Sequence, residues 1–148
     1  MQPLIELQYS KFFAWENRPT YPNFHYPGVY AISICEFNLA GRDFSWEHVV
    51  YIGMTTTSLK QRLYGFHRAI HGKRGHSGGN TMYKTYQSVG TEIDLDSIFV
   101  AMMGISCDVK TPTASDLRTL GNVVYLEYEA FAQYYEASGG NKPKFNTQ

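Results

Sequence analysis

Apolar residues divide the chain into short patterned segments separated by polar, Gly- and Pro-rich stretches. Val29, Ile32 and Ile34 pattern with Val49, Val50 and Ile52 as a pair of apolar strands, joined by a polar loop from Asn38 to His48. After Gly53, Thr55 to Ser58 offer N-cap hydroxyls that accept from first-turn amides. Leu59, Leu63, Phe66 and Ile70 then recur at helical spacing, predicting a helix over 58–71. Thr81 to Val89 predicts a second, short helix with Met82, Tyr83 and Tyr86 inward. A third strand is expected within Ile93 to Ile105, with Glu92, Asp94 and Asp96 alternating on an exposed face at its entrance. Asp116 or Ser115 is expected to cap a long last helix that runs to about Ala137 and stops at Gly139-Gly140. On it Val123, Val124, Ala130, Phe131 and Tyr134 share an apolar face, with Glu127 in its middle and Glu129 toward the polar side with Glu136. The expected class is α+β, a small, mostly antiparallel three-stranded sheet flanked by helices.

Residues 1–27 read as an N-terminal arm packed on a single domain of residues 28–148. Pro19, Pro22 and Pro27 make the arm irregular and extended, and Tyr21, Phe24 and Tyr26 between them are packing residues or, alternatively, platforms for unpaired bases. Among 148 residues, 43% are hydrophobic, enough for one folded core. Cys35 and Cys107 sit in apolar segments and read as free thiols, which with no leader pattern and no long apolar run gives an expectation of a cytoplasmic protein without a membrane span.

Charge changes the picture locally. The formal net charge is zero, yet between Glu47 and Glu92 no acidic residue occurs, while Lys60, Arg62, Arg68, Lys73, Arg74 and Lys84 fall there with His67, His71 and His76. Such a region is either a solvated face or a surface for phosphates. Residues 72–80, with four glycines, read as a flexible basic loop able to lay amides and cations along a nucleic-acid backbone. Lys60, Arg68, Lys73, Arg74, His76 and Lys84 are therefore the candidate nucleic-acid contacts.

Gly28-Val29-Tyr30, Tyr51-Ile52-Gly53, Arg62 on the next helix, Glu127 on a late helix and Pro143-Lys144-Phe145-Asn146 occur in the order that resembles the GIY-YIG nuclease family, over residues 27–146. The resemblance implies a divalent-metal-dependent endonuclease acting on DNA, restriction-like or from a phage or mobile element. In it, Tyr30 accepts or relays the proton of the attacking water, Tyr51 orients water or phosphate, and Arg62 holds phosphate oxygens. Glu127 is the ligand of Mg²⁺, with Mn²⁺ as substitute, and Asn146 orients phosphate or locks the tail. Three features depart from the family. The loop between the tyrosines is long, Met54 replaces a lysine common after the second motif, and Phe66 stands where His or Tyr commonly follows the arginine. His67 is the first substitute for that last role. Cutting both strands of a duplex calls for a homodimer, a partner protein or two events. The alternative is a non-catalytic module on the same scaffold that binds nucleic acid or protein.

Overall fold

The computed structural model describes residues 5–147. Strands β1 (Phe13–Ala14), β2 (Gly28–Ile34), β3 (Val49–Thr55) and β4 (Ile98–Gly104) form one antiparallel sheet in the order β1-β4-β2-β3. The sheet therefore has four strands where the hydrophobic pattern predicted three. The addition is short, because the arm pairs with β4 only at Phe13 and Ala14. Ser10 precedes them with a further bond from its N–H to the Met102 carbonyl, at 2.8 Å.

Helices α1 (Leu59–Ala69) and α2 (Ser77–Ser88) cover one sheet face, and α3 (Ala114–Ser138) covers the other. Alternation along β2 sorts the two layers. Tyr30 and Ile32 point into a core with Leu59, Leu63, Phe66 and Met82, whereas Val29 and Ala31 meet Val123, Leu126 and Ala130 of α3. Trp15 and Phe24 of the arm are buried in the first core, and Tyr21 Oη accepts from the Gly104 N–H at 2.8 Å.

Ser58 caps α1 by accepting from the Gln61 N–H. Thr113, not Asp116 or Ser115, caps α3, and Asp116 completes a capping box from the third helical position. Val124 is exposed, and Leu126 takes the inward position expected of it. Asp94 and Asp96 lie at a 3-10 turn (Leu95–Ser97) ahead of β4 rather than on a strand face, with Asp94 accepting from the Asp96 N–H. The 38–48 loop is packed down: Phe44 stacks on Tyr9 at 4.4 Å between centroids, and Trp46 meets Tyr134 edge-on at 5.9 Å. Among the described residues, no helix is long and apolar enough to cross a membrane.

Candidate active site

Tyr30 and Tyr51 come from neighbouring strands, on the face covered by α1 and α2, with ring centroids 6.1 Å apart. Tyr30 lies directly across from Gly53, and a Cβ there would collide with the Tyr30 hydroxyl. The glycine of the second motif thus keeps open the lane through which Tyr30 extends. Tyr51 in turn lies against Gly78, where a Cβ would enter its ring.

That last contact corrects the expected 72–80 loop. Helix α2 starts at Ser77, not Thr81, and Gly78 and Gly79 form its first turn. Glycine disfavours a helix. Here it permits close approach, since a Cβ on Gly79 would lie 2.6 Å from the Ala69 Cβ of α1.

His76 caps α2, its Nδ1 accepting from the Gly79 N–H at 3.1 Å, and its Nε2 lies 2.7 Å from Tyr30 Oη. An Nδ1 that accepts must be unprotonated, so the neutral ring carries its proton on Nε2 and donates it to Tyr30. Burial, with the Arg62 charge added, pushes the His76 pKa down to about 3, which keeps the ring neutral. His76 is 2% exposed, so its place among the surface phosphate contacts is corrected: it belongs to the Tyr30 cluster.

His67 is elsewhere. Its Nδ1 accepts from the Trp15 indole N–H at 3.0 Å, and it lines a separate cleft with Trp15, Arg18 and Asp96. The histidine brought to Tyr30 is therefore His76, not His67. Nothing in the local sequence singled it out, because histidine is not among the residues favoured at N-caps and the adjacent Ser77 is.

Arg62 projects from the flank of α1, and its charge favours ionisation of both phenols. Burial outweighs it, holding Tyr30 well above and Tyr51 above the ordinary tyrosine pKa, with Ser77 also acting on Tyr51 to lower it. Among the described residues, Arg62 Nε is buried without a hydrogen-bond partner.

Glu127 comes from the opposite layer, on the stretch of α3 that carries Val123, Leu126 and Ala130. Tyr30, Tyr51, Arg62 and Glu127 do not share one sheet face, although Glu127 is close enough for its charge to act on Tyr9, Tyr30 and Tyr51. Burial raises its pKa and Arg62 opposes the rise, yet the two form no ion pair among the described residues. Glu129, by contrast, accepts from Gln133 Nε2 at 3.3 Å. Tyr9, which the sequence reading missed as a neighbour, also carries a buried hydroxyl without a partner.

Asn146 is a clamp. Its Oδ1 accepts from the Ile52 N–H and its Nδ2 donates to the Ile52 carbonyl, both at 2.9 Å, which fits the tail-locking role and fills both ends of its amide. Met54 packs beneath α3 with Val123 and Leu126, so its position faces the apolar layer rather than the cluster. Lys60, Arg68, Lys73, Arg74 and Lys84 are exposed. Lys60 lines a cleft of about 430 Å³ with Arg18 and Tyr64, and Arg68 lies 6.0 Å from the Tyr64 ring centre.

Among the described residues, no group of three His, Cys, Asp or Glu is placed to hold a metal ion. In comparisons with protein-family models, curated proteins and solved structures, the chain matches none.

Proposed function

We propose that the chain is a divalent-metal-dependent DNA endonuclease of GIY-YIG type, hydrolysing phosphodiester bonds beside Tyr30, Arg62 and Glu127. The observation that carries this reading is the Tyr30 hydroxyl receiving the His76 Nε2–H at 2.7 Å and biased by the Arg62 charge. Around it, among the described residues, Arg62 Nε has no partner and Glu127 has no ion pair. Such groups are costly to bury unsatisfied, and a bound phosphate and cation would satisfy both.

Glu127, alone among protein carboxylates, suits Mg²⁺ or Mn²⁺, hard cations that keep waters, and does not suit zinc, which takes several protein ligands. Bound there, the cation would neutralise phosphate charge and stabilise the leaving oxygen. Arg62 holds non-bridging oxygens through a donor fork whose charge is fixed at working pH. Tyr30 is a neutral phenol at pH 7, as an ordinary tyrosine is, and burial raises its pKa further. Its oxygen already accepts from His76, so its own proton is free to orient the attacking water. His76 and Arg62 are the groups that would stabilise a phenolate if that proton leaves. Tyr51 extends the polar surface toward the substrate, and Asn146 fixes β3 beneath it.

Plasmid and single-stranded DNA incubated with Mg²⁺, with EDTA, and with Glu127→Ala or Tyr30→Phe protein test the reading. Cutting that needs the metal and disappears in both variants is expected. The complete burial of Tyr30 and the placement of Met54 in the apolar layer favour one alternative, a non-catalytic nucleic-acid-binding or protein-interaction module. Salt-sensitive DNA binding without cleavage in either Mg²⁺ or Mn²⁺ would select it.

A further inference from the structure

Helix α3 has two apolar faces. Val123, Leu126 and Ala130 face the sheet. On the opposite side, Leu117, Gly121, Val124, Tyr128 and Tyr135 recur at steps of four, three and seven residues, the spacing of a helix-pairing seam. Leu117 is 58% and Tyr128 71% exposed, and Val124, Tyr125 and Tyr135 are exposed with them. At about 100° per residue, no charged side chain falls within that sector. A contiguous apolar stripe on an outward helix face marks a surface that is covered in use.

What covers it is indicated by the stripe's own symmetry. Reversing the helix about position 126 carries Leu117 onto Tyr135 and Val124 onto Tyr128, so the pattern is its own complement under a two-fold axis. A two-fold interface uses the same patch on both subunits, and this spacing sets Leu117 against Tyr135 and Val124 against Tyr128 across it. Charge agrees. Arg118 is the only Lys or Arg on α3, and Glu136, five turns later on the same flank, has no ion pair among the described residues; nor has Arg118. Antiparallel pairing sets Arg118 beside Glu136 of the second copy, on the same side of the helix pair. At Gly121 a Cβ would meet nothing within 4 Å, leaving room for an opposing ring.

We propose that α3 pairs antiparallel with α3 of a second copy, making a two-fold homodimer through Leu117, Val124, Tyr128 and Tyr135. The pairing stands on this surface alone and holds whatever chemistry Tyr30 performs. It also sets each Glu127 one residue from the two-fold axis, on the same side of the helix pair.

Sedimentation of the full chain over a range of concentrations tests it, alongside cysteine cross-linking in a Cys107→Ser background. The expected result is a monomer–dimer equilibrium that Tyr128→Glu weakens by at least about tenfold with thermal melting unchanged. A mixture of Leu117→Cys and Tyr135→Cys proteins cross-links as a heterodimer, and neither cross-links with itself. A chain that stays monomeric to millimolar concentration overturns the proposal. So does a dimer indifferent to Tyr128→Glu, Leu117→Cys that links to itself, or a monomer whose stripe instead binds phosphatidylcholine vesicles.

Discussion

The two faces of the sheet are built by opposite rules. On the α1–α2 face, Tyr30, Tyr51 and His76 are buried among apolar side chains and carry hydrogen-bonding groups into the core. On the α3 face the packing is carried by apolar residues, from Val29 and Ala31 to Leu126, while the hydroxyls buried there, of Tyr9 and Ser33, have no partner among the described residues and Glu127 is partly buried at the margin. The difference lies in how buried polar groups are partnered: where two short helices approach closely through glycine, the Tyr30 hydroxyl and the His76 ring bond each other, and where one long helix packs by volume the Tyr9 and Ser33 hydroxyls are left unpaired among the described residues. Proteins tolerate buried polar groups when each has a partner, and the α1–α2 face supplies them to Tyr30 and His76 but not to Arg62 Nε.

The sharpest break of this contrast is catalytic. Tyr30→Phe and Glu127→Gln, one on each face, should each lower cleavage by roughly 10²–10⁴-fold, read as single-turnover rates on plasmid DNA. Retention of full rate by either would remove its face from the chemistry.

Next in size is Gly53→Val. Its side chain meets the Tyr30 hydroxyl and should cost about 1–3 kcal/mol in denaturant unfolding. Val29→Ala on the other face should cost about as much by leaving a hole, but without altering Tyr30 fluorescence or the alkaline titration of its phenol.

Stability should also separate the two site residues. Tyr30→Phe leaves the His76 Nε2–H unpaired in the core, a loss of about 1–3 kcal/mol. For Glu127 the folded pKa is raised, so its favourable contribution exists below the unfolded pKa and is lost as pH rises through the folded one. At pH 7 the charge opposes folding, and Glu127→Gln should melt at the same temperature as the parent or slightly higher.

A further break of the comparison is a pH limb. His76 has its pKa pushed down to about 3, so the stability it contributes is full above its unfolded pKa and is lost as pH falls from about 6.5 toward 3. His76→Asn keeps a capping oxygen and removes the titration. Its melting temperature should therefore fall less than that of the parent between pH 6 and 4, and parallel curves would place the titrating group elsewhere.

Much of the layer order was legible because strand and helix periods report which residues meet the core. Ser58 reads as a cap, and Leu59, Leu63 and Phe66 read as an inward stripe, from sequence alone. Glycine defeats this kind of inference. Gly78 and Gly79 resemble a flexible loop in sequence, yet their lack of side chains serves contact with Tyr51 and Ala69, which no local window records. Mistaking contact glycines for loop glycines moved the start of α2 and left His76 on the surface. Strand β1 was hidden for a different reason: two residues carry no period, and their pairing with Phe99 and Val100 is a long-range event. Tyr9 likewise joins Glu127 across more than a hundred positions, a proximity that only the folded chain reveals.

Asn146 has a consequence in time. Strand β3 is at the edge of the sheet, and the tail covers that edge through the Phe145 N–H to the Val50 carbonyl and the paired amide bonds to Ile52. An uncovered strand edge is a template for other strands. Ile52 and Asn146 are 94 positions apart, so a ribosome adding roughly 5–20 residues per second delivers the clamp about 5–20 s after the strand. During that interval the strand bearing Tyr51 has a bare rim, and its protection falls to whatever meets the nascent chain.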